Sequence, residues 1–445
     1  MKNKKTAFII LAAGKGKRIK TEIDKVLLPV AGLPMIQHIL RTIAEIKPKI
    51  IVPVIAPRME KLRKSLTGIQ CAIQKKQMGT AHAAASARTL LKGFDGNVVI
   101  LCGDSPFVTS STLKSLLRGL EKRQGKDLMI LGTNAKNARQ YGRILLDDQG
   151  MPERIVESAD MNISEKRISL CNSGIIAGKS KQLFNMLNLV KNKNAKREYY
   201  LTDIVGIARK KGLKVGLIEA PEDEVMGINS PEELAEANAI FQRKIRLKFL
   251  RQGVSMHDPN SVWFSYDTKI GRNVTIGPNV FFGKNVRIDT GVTIDSFCHM
   301  EGVTVGKNSS IGPFSRLRSE TRIAANVHVG SFVEIKNAKI AEGAKIPHLS
   351  YIGDAVIGSE ANIGAGTITC NYDGFEKFVT RIGSKASIGA NTSLVAPVKI
   401  GDHSVTGAGS TITDDVARHS LALSRLPQYA IKNWSKKNKK SKKKK

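Results

Sequence analysis

The chain has 445 residues, 41% of them hydrophobic, and a formal net charge of +33; that length exceeds one ordinary core and predicts two or three domains. No apolar run reaches the roughly 18 residues of a membrane span, and an aromatic content of 5% argues against a stacking platform for single-stranded nucleic acid. Five scattered cysteines with no Cys-x-x-Cys pair exclude a disulfide framework or zinc ribbon and point to a reducing cytoplasm.

The first element is "AFIILAAGKGKR", Ala7 to Arg18. A basic start, an apolar run and "AAG" suit a signal peptide with a small-residue cleavage site, or a buried strand leading into a glycine-rich phosphate loop. The apolar run is short, and lysines between Lys15 and Lys20 follow the supposed cleavage point. Both features favour the strand and its loop in a cytoplasmic protein.

From Thr6 to about Gly227, short apolar runs ("AFIIL", "IIVPVI", "NVVILCGD") alternate with amphipathic Lys-rich stretches. This predicts a Rossmann-like α/β domain with a largely parallel sheet, whose ligands gather at the carboxyl ends of strands. Two candidate positions lie there: the glycine loop after "AFIILAA", and Asp104 after "VVILCG". The loop is neither a Walker loop nor a complete dinucleotide fingerprint. Gly14 and Gly16 allow a phosphate to approach the backbone, and Arg18 and Lys25 add charge.

A helix follows, with Ser230 as N-cap, Pro231 at the first turn and Glu233 completing a capping box. Leu234, Ala237, Phe241, Ile245 and Phe249 recur at near-helical spacing, and Gly253 ends the segment. The expected organisation is an α/β domain over 1–228, a linker helix over 229–252, a repeat domain over 253–434 and a Lys-rich tail over 435–445.

In the repeat domain apolar residues recur every six: Ile270, Ile276, Phe282, Ile288, Ile294, then Val305, Ile311, Leu317, Ile323, Val329, Ile335. Further hexads run through Ile363 and from Ile382 to Ile400. Period six fits neither an α-helix nor a hairpin; it predicts a left-handed parallel β-helix of hexapeptide repeats. The break between Ile363 and Ile382 predicts a projecting loop over 371–377.

Three hexads per coil stack residues 18 apart. Arg318 and Lys336, each following a core residue, then lie one above the other at ~4.8 Å. They are either two solvated charges or a phosphate clip. His348, in "IPHLSY", falls on the same coils. His299, His328 and His403 leave a metal site as a rival, without a compact ligand cluster.

The motifs "LAAGKGKR", "DKVLLPVAG", "QKKQMGTAHA", "LCGDSPF", "YGRI", "NSGI", "EYYLTDI" and "GIN" occur in the order seen in sugar-nucleotide pyrophosphorylases. With "PHLSY", "NIGAGTITCNYDG" and "LSRLPQ", the chain resembles the bacterial bifunctional N-acetylglucosamine-1-phosphate uridylyltransferase/glucosamine-1-phosphate acetyltransferase family over all but its tail. The resemblance implies synthesis of UDP-N-acetylglucosamine from UTP, acetyl-CoA and glucosamine 1-phosphate, through N-acetylglucosamine 1-phosphate, by a homotrimer using Mg²⁺.

It also implies residue roles. Leu11, Ala12 and Gly14 hold UTP, with Arg18 and Lys25 on its phosphates; Gln74, Gly79 and Thr80 recognise the uridine. Asp104 and Asn229 hold Mg²⁺, and Gly142, Glu157 and Asn172 hold the sugar. Arg318, Lys336, Tyr351 and Asn362 bind the sugar phosphate, His348 is the general base, and Ala365, Asn371, Tyr372, Ala390, Ala408 and Arg425 meet acetyl-CoA. Four positions depart from the family's usual residues: Lys17 (Thr), Cys102 (Tyr), Ala390 (Ser) and Pro347 (Gly). The alternatives are a pyrophosphorylase with a regulatory β-helix and a non-catalytic sensor or scaffold. Arg318, Lys336, His348, Tyr351 and the "NYDG" loop argue against the first, and Lys25, Asp104 and Asn229 against the second.

Overall fold

The computed structural model describes residues 5–14, 16, 18–19, 21–121, 125–136, 138 and 141–436. The chain divides into two compact units, Met1–Phe241 and Gln242–Lys445. Among the described residues, no helix is long and apolar enough to cross a membrane.

The first unit is built on a nine-stranded sheet. Its strands are β1 (Thr6–Leu11), β2 (Ile50–Ile55), β3 (Ala72–Ile73), β4 (Asn97–Cys102), β5 (Leu128–Asn134), β6 (Arg143–Leu146), β7 (Pro152–Val156), β8 (Leu170–Lys179) and β9 (Val215–Glu219). The order is β9-β5-β8-β4-β1-β2-β3, with β6 joined to β8 and β7 to β6. β1 runs parallel to β2 and β4, and β9 parallel to β5, but β8 runs antiparallel to β4 and β5. The sheet is therefore mixed, not largely parallel. The reversal is made by the short turn between β6 and β7, which pair antiparallel, so that β8 also runs against β6; an antiparallel return of this kind needs no crossover helix.

The continuous apolar run of β1 is explained by burial on both faces. Ala7 and Ile9 join one core with Val98 and Ile100, while Phe8 and Ile10 join another with Val99 and Leu101. The ends of β1 and β4 come side by side, Leu11 opposite Cys102, which brings the glycine loop next to Asp104.

The helix Pro231–Arg251 starts as its sequence predicts, with one refinement. The Ser230 hydroxyl accepts from the Glu233 N–H at 3.2 Å, and the Glu233 carboxylate accepts from the Asn229 N–H at 2.6 Å. The reciprocal arm of the capping box thus holds Asn229, one residue before the cap. Ala237 packs in the first unit, and Phe249 in the second.

The second unit is a left-handed parallel β-helix. Its short strands pair in parallel with the next coil, as Thr275↔Thr293, Thr293↔Ser310 and Ser310↔His328. One column of strands makes a ten-stranded sheet, and the others a fourteen-stranded sheet. The hexad residues Ile276 through Ile400 form one continuous core. Thr369 fills the hexad after Ile363, fully buried. Its hydroxyl donates to the Gly353 carbonyl at 2.9 Å and accepts from the Gly353 N–H at 2.7 Å, so a polar residue serves as core. The predicted loop follows, closed by an antiparallel bridge between Tyr372 and Lys377.

Candidate functional site

In the first unit a cleft of about 210 Å³ opens at the carboxyl ends of β1 and β4. Of the residues predicted there, Leu11, Thr80, Asp104, Gly142, Glu157, Asn172 and Asn229 line it. Lys25 stands on a 3₁₀ turn, Lys25–Leu27. Its ammonium makes an ion pair with Asp104 and donates to the Asn229 side-chain oxygen at 2.8 Å. Gly16, at φ +57°, makes this possible: a Cβ there would stand 3.0 Å from the Lys25 Cβ.

The Asp104 and Asn229 oxygens thus converge on one cationic point. Two hard oxygen donors completed by substrate phosphates are a donor set suited to Mg²⁺. No group of three or more His, Cys, Asp or Glu side chains able to hold a metal occurs among the described residues, and the histidines of the repeat form no such cluster.

The residues expected to recognise the uridine form a second connected group. Buried Gln74 donates to the Gly79 carbonyl at 3.1 Å, and Gln77 donates to the Ala13 carbonyl, which ties this segment to the glycine loop. Gly79 has φ +115°, and a Cβ there would lie 2.5 Å from the Tyr199 carbonyl oxygen. Thr80 opens the helix Thr80–Ser86 and accepts from the Leu201 N–H at 2.8 Å. Ala12 is buried; Gly14 and Arg18 are exposed on the loop. Lys17 and most of the Lys-rich tail lie outside the described residues.

The wall expected to meet the sugar is shaped by an irregularity in β8 between Asn172 and Ile176, a device that re-aims side chains beside sites. The Asn172 N–H donates to the Gly142 carbonyl at 2.9 Å. Glu157 accepts from the Thr202 hydroxyl at 2.9 Å, and burial pushes its carboxyl above the ordinary range. Burial and the nearby Glu157 and Asp160 push Asp203 up to about 6. Burial holds the Cys102 thiol near 12, so this departure puts an inert thiol in the wall. Tyr141, Ser173 and Thr202 also line the cleft. They lie within the quoted motifs "YGRI", "NSGI" and "EYYLTDI", but no period or spacing singled them out as cleft residues.

In the second unit Leu317 opposes Ile335, which stacks Arg318 and Lys336 as predicted. Arg318 donates to Glu334 at 2.9 Å, and Arg316 reaches the same carboxylate at 4.0 Å. The projecting loop brings Lys377 against Lys336: hydrogen bonding and repulsion from Lys377, then repulsion from Arg318, hold the Lys336 ammonium below its ordinary pKa. Sequence reasoning missed Lys377; its signal was a lone cation in the loop that breaks the hexads. Asn371 is buried and donates to Asp354 at the loop's base, whereas Tyr372 is largely exposed.

His348 lies in the strand Lys345–His348 of the ten-stranded sheet, as does Asn362 in the adjoining strand. Lys336 and Tyr351 belong to the fourteen-stranded sheet. The groove lined by Arg318 and Lys336 does not include His348. Pro347 sits in the strand beside Gly330, where any Cβ would meet the Pro347 carbonyl at 1.9 Å. The His348 Nδ1 lies 3.3 Å from the Ser331 hydroxyl. One coil on from His348 come Ala365, then Ala390 and Ala408, each two residues past its core position, and Arg425 donates to the Ala408 carbonyl at 3.1 Å.

Comparison with known proteins gives three family matches. The MobA-like NTP transferase domain matches residues 8–149, the hexapeptide repeat of succinyl-transferase 273–313, and the bacterial transferase hexapeptide (six repeats) 380–414. The chain is 49% identical over 431 residues to the bifunctional protein GlmU of Rhodospirillum rubrum, covering 97% of this chain and 96% of that one. It is 44% identical over 437 residues to that of Paramagnetospirillum magneticum, covering 98% and 97%. A solved UDP-glucose pyrophosphorylase aligns at 18% identity and TM-score 0.45, covering 54% of this chain and 99% of that one.

Proposed function

The chain belongs to the bifunctional GlmU family, and from that premise we propose how its residues share the two reactions. It is a bifunctional enzyme of UDP-N-acetylglucosamine synthesis. One activity moves acetyl from acetyl-CoA to glucosamine 1-phosphate. The other moves UMP from UTP to N-acetylglucosamine 1-phosphate and releases pyrophosphate.

Uridylyl transfer is assigned to residues 1–228 together with Asn229 at the start of the linker segment. The observation that carries the assignment is the convergence of Lys25, Asp104 and Asn229. Asp104 and Asn229 would hold Mg²⁺, which supplies charge neutralisation on the triphosphate. Lys25, released from Asp104, turns to the phosphates with Arg18 and stabilises the charge that develops in line. Leu11, Ala12, Gly14, Gln74, Gly79 and Thr80 seat the nucleotide. Gly142, Glu157 and Asn172 hold the acceptor sugar, whose phosphate is the nucleophile, so no covalent side-chain attack is needed.

Acetyl transfer is assigned to residues 253–434. Arg318 and Lys336, joined by Lys377, hold the phosphate, with Tyr351 and Asn362 around the sugar. His348 takes the proton from the amine as it attacks the thioester and the coenzyme thiolate leaves, the general-base role that an imidazole within hydrogen-bond reach can fill. Ser331 at Nδ1 leaves the other ring nitrogen for the amine. Ala365, Ala390 and Ala408 give a low strip for the pantetheine arm, with Asn371, Tyr372 and Arg425 beside it.

We assign a homotrimer for the same reason that one chain leaves this site incomplete: base and phosphate cations lie on different sheets. Phe297, Phe314, Phe332 and Leu349 also form an exposed apolar ridge at one corner, 45% to 63% exposed, ending next to His348. Such a ridge invites a second copy. A cytoplasmic location accords with five free cysteines.

The test is an assay with all four substrates and Mg²⁺, scoring thiol release and pyrophosphate release separately. His348→Ala lowers acetyl transfer about 10²–10⁴-fold and spares uridylyl transfer; Asp104→Ala does the reverse. Loss of both activities in both folded variants would refute the two-site assignment.

A further inference from the structure

The second unit carries a groove that these two reactions leave partly unused. It runs from Lys336 and Arg318 past Arg316 to His299 and Glu301. Strand register fixes the order along the coil axis. Phe281, His299, Arg316 and Glu334 oppose one another in successive coils, and Trp263 bridges to Phe281 one coil earlier. Each step is ~4.8 Å.

The rings in this column stack. Phe281 and His299 lie 4.7 Å apart at 25°, and Trp263 and Phe281 lie 6.3 Å apart at 5°. Phe281 is 40% exposed, and His299 is exposed. The groove therefore joins a cluster of cations to an accessible aromatic ladder. Arg316 and Arg318 share a single carboxylate, Glu334, and Lys336 is crowded by Lys377 and Arg318. Positive charge remains in excess over Glu334 and Glu301.

Direction decides what enters. Ser331 is in register with His348, which puts His348 one coil beyond Lys336. The amine of glucosamine 1-phosphate points that way, and the molecule ends at its phosphate. The groove extends the opposite way, toward earlier coils, so it suits something attached beyond the phosphate.

We propose that this groove receives the nucleotide half of a nucleoside diphosphate sugar. The sugar occupies the acetyl-transfer pocket, one phosphate meets Arg318 and Lys336, and the second meets Arg316. The base lies against the rings of His299 and Phe281, about two inter-strand steps away. The inference rests on the acetyl-transfer reading of Arg318, Lys336 and His348. A molecule of this class is what the first unit releases, so the end product competes with glucosamine 1-phosphate and restrains the first step.

The test uses the full-length protein without UTP or pyrophosphate. Acetyl transfer to glucosamine 1-phosphate is followed as thiol release, against added UDP-N-acetylglucosamine or, separately, N-acetylglucosamine 1-phosphate. UDP-N-acetylglucosamine is expected to inhibit competitively, at a concentration about tenfold below that of the sugar phosphate lacking the nucleotide. Phe281→Ala and His299→Ala are each expected to raise that inhibition constant about tenfold while leaving the KM for glucosamine 1-phosphate unchanged, which also shows that the variants fold. Inhibition no stronger than by N-acetylglucosamine 1-phosphate, or equal in wild type and both variants, overturns the inference. Absence of acetyl transfer before any inhibitor is added would instead overturn the reading beneath it.

Discussion

The two units build their sites in opposite ways. In the first, Lys25, Asp104 and Asn229 come from three distant segments and meet at one point, inside a cleft whose walls come from many elements. In the second, Arg318 and Lys336, or Ser331 and His348, are neighbours because a coil repeats. The first site depends on how strands and loops pack. The second depends on period, and its residues stand on the outside of the coil. A substitution in the first site should therefore disturb several partners, while one in the second should act locally.

The largest effect expected at the first site tests this. Lys25→Met should lower uridylyl transfer about 10²–10³-fold, the usual cost of losing a preorganised charge at a reacting phosphate. Acetyl transfer, measured as thiol release, should not change. If acetyl transfer fell in parallel, the two sites would not be separable.

Two glycines sharpen the contrast. Gly79→Ala places a methyl 2.5 Å from the Tyr199 carbonyl at φ +115°, and should cost about 3 kcal/mol or more from overpacking and strain together. Gly409→Ala, at φ +70° with nothing within 4 Å, should cost only about 1–2 kcal/mol. Denaturant unfolding of both variants checks the order.

A smaller effect is expected at the projecting loop. Lys377→Ala should raise the KM for glucosamine 1-phosphate about fivefold, with kcat little changed, as for loss of one charge-assisted contact. Lys377 holds the Lys336 pKa down, so Lys336 loses its charge at a lower pH than an ordinary lysine. Wild-type KM should therefore rise on the alkaline side, and Lys377→Ala should move that rise to higher pH.

The smallest effect concerns stability. The Asp203 carboxyl, raised from 3.8 to about 6, favours the folded state most when protonated. Its contribution is fully present below about pH 4 and is lost as pH rises through about 6. Asp203→Asn should thus raise the melting temperature slightly at pH 8 and leave it unchanged at pH 4.

The second unit was the more legible of the two. Twenty apolar positions, most of them six apart, pointed to the β-helix, the stacking of Arg318 on Lys336 and the loop after Ile363. Thr369 escaped that count because it is polar, though its hydroxyl is satisfied by both backbone groups of Gly353. The first unit showed its strands and its motifs but not its walls. Tyr141, Ser173 and Thr202 face the cleft because of sheet order and the irregularity in β8, and neither has a local sequence signature. The antiparallel course of β8 was likewise hidden, since an apolar strand reads the same in either direction.

The sequence by itself determined what is periodic or local: the hexads, the buried first strand, the helix cap at Ser230 and the glycine loop. These follow from nearest-neighbour sterics and from which side of a repeating backbone each residue faces. Only the tertiary structure decided which distant oxygens meet Lys25, where Lys377 comes to rest, and that His348 and the phosphate cations occupy different sheets of one chain. Those juxtapositions arise from packing between segments far apart in the chain, and no spacing along it encodes them.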